Sequence, residues 1–402
     1  MALTNSGRIS KRVQELEESQ TLAMSARVKE MKRQGIDVID LTVGEPDFIT
    51  PENIRNSTKK AIDSGFTKYT ETSGIPELKK AICEKFKNEN NLEYSPNQVI
   101  VSCGAKHSLY LAFQAILNLG DEVIIPVPYW VSYSEQVKLA GGIPVFAKSK
   151  PLEFEVTAKS IEDKITPKTK VIFLNSPSNP TGTVIKREEI EKIAKLAVEK
   201  NILVISDEIY EHLVYNNDKS KTPISIASFG DQIKNITVIV NGVSKSYAMT
   251  GWRIGYTAGP EEIIKAMSKL QSQMTSNPSS ISQMAALEAL SGNQNSVEKM
   301  RKEFEKRRDY LISRLKKIKG IKCAVPDGAF YAFPDISQIE KNPKLFSDKL
   351  LEKAHVAVVQ GSAFGAEGFV RMSYATSMEN LKEAMNRLEK FILDYKYIKH
   401  NR

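Results

Sequence analysis

The sequence contains no run approaching about 18 consecutive apolar residues, which excludes a membrane-spanning helix. It has only three cysteines, Cys83, Cys103 and Cys323, an odd number at unrelated spacings. They make neither a disulfide framework nor a zinc ligand set, and a reducing compartment is expected. The four histidines, His107, His212, His355 and His400, are scattered and form no H-E-x-x-H pair, so no metal site is expected. Gly/Ser linkers, low-complexity tracts and internal repeats are missing, as are the phosphate-loop pattern G-x-x-x-x-G-K-[ST] and the nucleophile pattern G-x-S-x-G. The opening MALTNSGRISKRVQELEESQ is polar and lacks an apolar core, which points to a cytoplasmic location rather than to secretion.

What remains is an ordinary soluble mixture of 402 residues, 41% hydrophobic and 26% charged, long enough for two compact units. The formal charge of +9 raises the question of nucleic acid. Its distribution argues against that, because Lys and Arg alternate with Glu in KREEIEKIAKLAVEK (186–200) and EKMRKEFEKRRDY (298–310), the pattern of solvated helix faces.

Short apolar runs alternate with helical periodicity through the middle of the chain. NQVIVSCGA (97–105) precedes the helical stretch 106–117, and DEVIIPVPYW, TKVIFLNS, ILVISDE, ITVIVNG and WRIGYTAG are further strand candidates. Runs that are apolar at nearly every position belong to strands covered on both faces, so the expected class is α/β with a mostly parallel sheet between helices. After about residue 290 the pattern changes to a long amphipathic helix (295–319), short strands near 321–324, 329–335, 355–360 and 369–374, and a final helix (378–397). The expected division is a segment 1–49 packing with the smaller unit, a large domain 50–290 and a small α+β domain 291–402.

Chemistry concentrates at strand ends. In NGVSKSYAMTGWRIGY (241–256), Lys245 leaves a buried strand among small residues, where burial lowers an amine's pKa and leaves it able to attack a carbonyl. Arg253 follows eight residues later on the next apolar run. Asp207 ends the strand of VISDEIYEHLVY (204–215), with Tyr210 three residues on, and Asn179 sits in the rigid loop NSPSNPTG (175–182). The carboxyl edge of a parallel sheet is where ligands bind. The turn SCGAKHS (102–108) offers backbone N–H groups at a helix start, which favour phosphate. Taken singly, Lys245 and Arg253 also read as snorkelling or ion-paired side chains and Asp207 as a helix cap. Together they match what pyridoxal 5′-phosphate needs: a lysine for the aldehyde, an acid for the ring nitrogen, donors for the phenolic oxygen, and an arginine with a helix start for the phosphate.

At this point the chain resembles a known family, the class I aminotransferases of fold type I, and within it the bacterial and archaeal aspartate aminotransferases. GVSKSYAMTGWRIG (242–255) fits the family's pyridoxal-attachment signature, and the resemblance extends from LTVGEPDF (41–48) through YTETSGIPELKKAI (69–82), PYWVSY (128–133), NSPSNPTG and SDEIYEHL to VRMSYATS (370–377). It implies a seven-stranded-type large-domain sheet and a ping-pong transamination of L-aspartate with 2-oxoglutarate. Lys245 would hold the cofactor and move the substrate proton, and Asp207 would pair with the ring nitrogen. Asn179 and Tyr210 would bind the phenolic oxygen, and Trp130 would stack on the ring. Arg253 with Gly104, Ala105 and Lys106 would hold the phosphate. Arg371 would take the substrate α-carboxylate, helped by Asn179 and the backbone of Gly44. By its residues alone, Arg371 reads as a strand arginine on an exposed face. Tyr69 matches a tyrosine that reaches the neighbouring subunit's phosphate, which implies a homodimer with shared sites. Lys106, and with it Thr21 near Ser19, would recognise the second carboxylate. Aromatic, alanine or prephenate specificity remains an alternative, the last weakened by Glu17 and Glu18. A pyridoxal-binding transcription regulator would need a DNA-binding module, and the roughly 40 residues before LTVGEPDF show no helix-turn-helix pattern.

Overall fold

The computed structural model describes residues 8–215 and 224–400. In chain order its strands are β1 (Ile39–Asp40), β2 (Val99–Ser102), β3 (Glu122–Val127), β4 (Ile143–Lys148), β5 (Thr169–Asn175), β6 (Leu203–Asp207), β7 (Thr237–Gly242), β8 (Gly255–Ala258), β9 (Tyr331–Ala332), β10 (Val356–Ala357), β11 (Val359–Gln360) and β12 (Val370–Ser373). Strands β2 to β8 form one seven-stranded sheet in the order β2-β8-β7-β6-β5-β3-β4. Strands β3 to β7 pair in parallel, and β8 lies antiparallel to both β2 and β7.

The apolar runs are continuous because both faces of this sheet are covered. Along β5, Val171 and Phe173 pack towards Leu109 and Phe113 of helix Ala105–Ile116, whereas Ile172 and Leu174 pack towards Ile190 and Ile193 of helix Arg187–Lys200. Successive side chains point to opposite faces, so each position finds an apolar layer and contributes about 1.5–3 kcal/mol when fully buried.

The rest of the chain builds a second core. Strands β11-β12-β9 form a small antiparallel sheet, on which helices Asn295–Leu315 and Met378–His400 bury Phe304, Leu311, Leu381 and Met385. β1 pairs with β10, and helix Gln20–Arg33 buries Met24 and Val28 against Leu351 and Ala357.

Several expectations differ from what is observed. Residues 321–324 form no strand; a single bridge joins Lys322 to Asp335, and Pro326 and Pro334 each remove an amide donor nearby. The strand expected at WRIGYTAG begins only at Gly255, because Trp252 ends a 3₁₀ turn and Arg253 is left-handed, with φ 57°. The run 298–310 is not wholly solvated, since Arg307 and Arg308 are 5% and 6% exposed. Arg307 pairs with Asp47 at 2.7 Å and lies 5.0 Å from the Phe48 ring centre, so an aromatic and a carboxylate replace its water.

Candidate active site

Three neighbouring strand ends bring the chemistry together. In the parallel register Asn175 of β5 lies beside Asp207 of β6, and Asp207 beside Val240 of β7. The loops that follow carry Asn179, Tyr210 and Lys245, and all three line one cavity of about 430 Å³. Trp130, Ala105, Lys106, Arg253 and Asp207 line it as well, and Thr21, Gly44 and Arg371 close it from the second unit and the N-terminal segment.

At the floor lie Asp207, 2% exposed, and the Lys245 amine. Asp207 accepts hydrogen bonds from the Tyr133 hydroxyl (2.8 Å) and the Ile209 amide (3.2 Å). Burial nevertheless pushes its carboxyl up to about 6, against the lowering effect of those bonds and of Lys245. The Lys245 ammonium donates to the Gly44 carbonyl at 2.5 Å. Burial lowers its pKa to about 8, with Glu45 opposing and Arg253 and Arg371 adding to the fall. The rate at which an aldehyde attaches to the cofactor-free protein should therefore rise through a midpoint near 8. A midpoint near the ordinary lysine value of 10.5, measured by stopped-flow absorbance, would contradict this environment.

At one end is an anion cradle. Gly104 precedes helix Ala105–Ile116, whose first two amides, those of Ala105 and Lys106, lie ahead of the first intrahelical hydrogen bonds. A Cβ on Gly104 would lie 2.4 Å from an Arg253 guanidinium nitrogen, and one on Gly255 would lie 2.2 Å from the Ala105 amide nitrogen. Only glycine lets strand, turn and guanidinium approach this closely. Arg253 reaches the turn from its left-handed conformation, held by a 2.7 Å bond to the Thr250 carbonyl. Such a backbone costs about 1–2 kcal/mol in a residue with a side chain.

At the other end Arg371 is 1% exposed, which overturns its reading as an exposed strand arginine. β12 is the middle strand of its sheet, and the guanidinium lies 4.5 Å from the Tyr331 ring centre and 5.0 Å from that of Phe364. It donates to Asn179 Oδ1 (2.9 Å) and the Thr42 carbonyl (2.7 Å), and its Nε has no partner among the described residues. The Thr21 hydroxyl is likewise buried without a partner among the described residues. Ser19 caps helix Gln20–Arg33 by accepting from the Leu22 amide. The Lys106 ammonium lies 4.8 Å from the Trp130 ring centre, and burial lowers its pKa. Gly44 lines the cavity and offers its carbonyl to Lys245.

These donors fit pyridoxal phosphate: an anion cradle, a buried acid for a cationic ring nitrogen, and an amine depressed towards neutrality between them. Tyr69 lies outside the cavity lining and is 89% exposed. Sequence reasoning missed Tyr133, which bonds Asp207, and Tyr331, whose hydroxyl lies 2.9 Å from that of Tyr210. It also missed Glu45, which accepts from Thr250 at 2.7 Å. Its only signal was a place beside Gly44. Among the described residues one group has metal-ligand spacing, Glu89, Glu211 and His212. The buried Lys85 ammonium bonds Glu211 and lies 3.6 Å from Glu89, supplying the positive charge a metal would bring.

Known proteins resemble this chain over nearly its whole length. The profile of the family "Aminotransferase class I and II" matches residues 36–388. An aspartate aminotransferase of Bacillus sp. (strain YM-2) is 52% identical over 390 residues, covering 96% of this chain and 99% of the relative. A probable aspartate/prephenate aminotransferase of Aquifex aeolicus is 49% identical, covering 95% and 98%. The solved aspartate aminotransferase of Thermus thermophilus with maleate superposes with a TM-score of 0.91 at 45% identity, covering 95% of this chain and 99% of that one.

Proposed function

Because the chain belongs to the class I and II aminotransferases, we propose that it is a pyridoxal-phosphate-dependent transaminase that moves the amino group of L-aspartate to 2-oxoglutarate, giving oxaloacetate and L-glutamate in two half-reactions. One observation carries this reading: the Lys245 amine, the Asp207 carboxylate and the guanidiniums of Arg253 and Arg371 line a single cavity. Pyridoxal phosphate supplies an aldehyde that joins the amino group and a cationic ring that accepts the electron pair released at Cα.

The residues divide the remaining work. Asp207 keeps the ring nitrogen protonated, and Tyr210 and Asn179 donate to the phenolic oxygen. Arg253 and the first-turn amides of Ala105 and Lys106 neutralise the phosphate, while Trp130 covers the ring. Arg371 binds the α-carboxylate through a planar fork that matches two oxygens. With the cofactor bound, Lys245, whose pKa burial lowers to about 8, would move the proton between Cα and the cofactor's C4′. Its position on the floor, beside the Gly44 carbonyl, holds that nitrogen in one place.

Lys106, with Thr21 beside it, selects a second carboxylate. A cation already stripped of much of its water and held against Trp130 gains more from a distal carboxylate than an exposed one would. The maleate of the Thermus thermophilus structure is a dicarboxylate of this kind. Lys106→Ala should lower kcat/KM for aspartate roughly 10- to 100-fold, the worth of a hydrogen bond to a charged group, and leave alanine nearly unchanged. An unaltered aspartate-to-alanine preference would remove Lys106 from the specificity argument. A panel of amino donors and oxo-acid acceptors tests the function as a whole, with release of oxaloacetate as the expected result. Prephenate belongs in the panel because the Aquifex aeolicus relative carries it in its name.

The 89% exposed phenol of Tyr69 supports a homodimer in which it completes the partner's phosphate site. The placement of Arg371 on the 291–402 unit supports that unit, with residues 1–49, as the part that closes over the substrate. No helix among the described residues is long and apolar enough to cross a membrane, which accords with an enzyme of the cytoplasm.

A further inference from the structure

Tyr331 occupies a junction that no part of the sequence reading anticipated. It is fully buried on β9, paired with Ser373 of β12, two residues from Arg371. Its ring lies 4.5 Å from the Arg371 guanidinium carbon, and its hydroxyl lies 2.9 Å from that of Tyr210. The same hydroxyl would be 3.1 Å from a Cβ on Gly44, so it stands beside the segment whose carbonyl holds Lys245 and leaves little room for a side chain there. One side chain therefore meets the residue for the substrate carboxylate and the residue for the cofactor's phenolic oxygen, and stands beside the loop that holds the catalytic amine.

Resting on the function proposed above, we propose that Tyr331 is a positioning residue that couples the two ends of the site, its ring orienting Arg371 for the substrate carboxylate and its hydroxyl donating to Tyr210. Both phenols are pushed above the usual tyrosine range by burial and keep their protons at neutral pH. If Tyr210 spends its proton on the phenolic oxygen, the only hydrogen left for the 2.9 Å contact is that of Tyr331. A donor that itself accepts a hydrogen bond is polarised and donates more strongly. With pyridoxal phosphate bound, its phenolic oxygen would lie within reach of the proton on the Lys245 nitrogen, and stronger donation from Tyr210 to that oxygen would favour its anionic form. Tyr331 therefore lowers the pH at which the proton leaves.

The test uses holoenzyme and the pH midpoint of the bound cofactor's absorbance change. Tyr331→Phe keeps the ring and loses the hydroxyl. The midpoint should rise by about half a pH unit, with affinity for the inert dicarboxylate succinate within about twofold of the original. In a Tyr210→Phe background the same substitution should add nothing, because the relay is already cut. Tyr331→Met, which also removes the aromatic face from Arg371, should weaken succinate binding roughly tenfold. An unmoved midpoint in Tyr331→Phe, or an equal shift with and without Tyr210, overturns the coupling. Unchanged succinate affinity in the Met variant overturns the orienting of Arg371. The Phe variant and the cycle decide the coupling by themselves if the Met variant does not fold. Unsubstituted enzyme that bound no pyridoxal phosphate or ignored aspartate would instead refute the function, so the two failures are distinct.

Discussion

Lys245→Ala is expected to lower transamination of aspartate by at least about 10⁴-fold, the upper range for removing a positioned general base, because attachment of the cofactor is lost along with proton movement. Among the described residues one other amine lines the cavity, that of Lys106, and it is held against Trp130, 4.8 Å from its ring centre. The variant should still bind pyridoxal phosphate, since Arg253, Asp207 and the Gly104 turn are untouched, but the cofactor should dialyse away instead of remaining joined to the chain. Truncating the side chain leaves room for a small primary amine, and methylamine should restore part of the rate in proportion to its neutral fraction. Single-turnover absorbance with aspartate measures both effects. A variant retaining a tenth of the activity would mean that the proton moves through another group.

The alternation of apolar runs with helical stretches made the large sheet readable, because burial on both faces leaves a continuous apolar signal through the middle of β5, β6 and β7. Lys245, Asp207 and Asn179 were equally readable, since each is a polar side chain just past such a run. What escaped was set by contact across the chain. Tyr133 meets Asp207 from 74 residues away and Tyr331 meets Tyr210 from 121, and neither tyrosine interrupts a pattern that local periodicity would register. Arg371 shows the limit from the other side. A lone arginine in VRMSY looks exposed until the sheet places it between Tyr331 and Phe364, where its charge is met by rings, Asn179 and a carbonyl. The buried arginines at 307 and 308 misled for the same reason, because interleaved charges look solvated whether or not an aromatic waits on the neighbouring segment.

Asp207→Asn should separate activity from stability in opposite directions. The amide keeps an acceptor for the Ile209 amide and can donate to the Tyr133 oxygen, so the local fold survives. It cannot hold a proton on a ring nitrogen, and turnover should fall about 10²–10³-fold, as when a fixed charge-stabilising group is removed. The cofactor-free protein should become more stable above pH 6. The carboxyl has its pKa raised by burial from 3.8 to about 6, so between these values the native chain binds a proton that the unfolded chain has released. Stability then falls as pH rises through that interval, and by about pH 7 the deficit is complete at about 3 kcal/mol. The asparagine variant has no such proton to lose. Urea unfolding of both cofactor-free proteins between about pH 5 and pH 8 should show the wild-type curve falling relative to the variant. Adding pyridoxal phosphate should reverse the order, because a protonated ring nitrogen supplies the positive charge that a buried carboxylate lacks. Parallel pH dependence in the two proteins would show that Asp207 is ionised at little cost in the empty site, and its assignment as the partner of the ring nitrogen would lose its electrostatic basis.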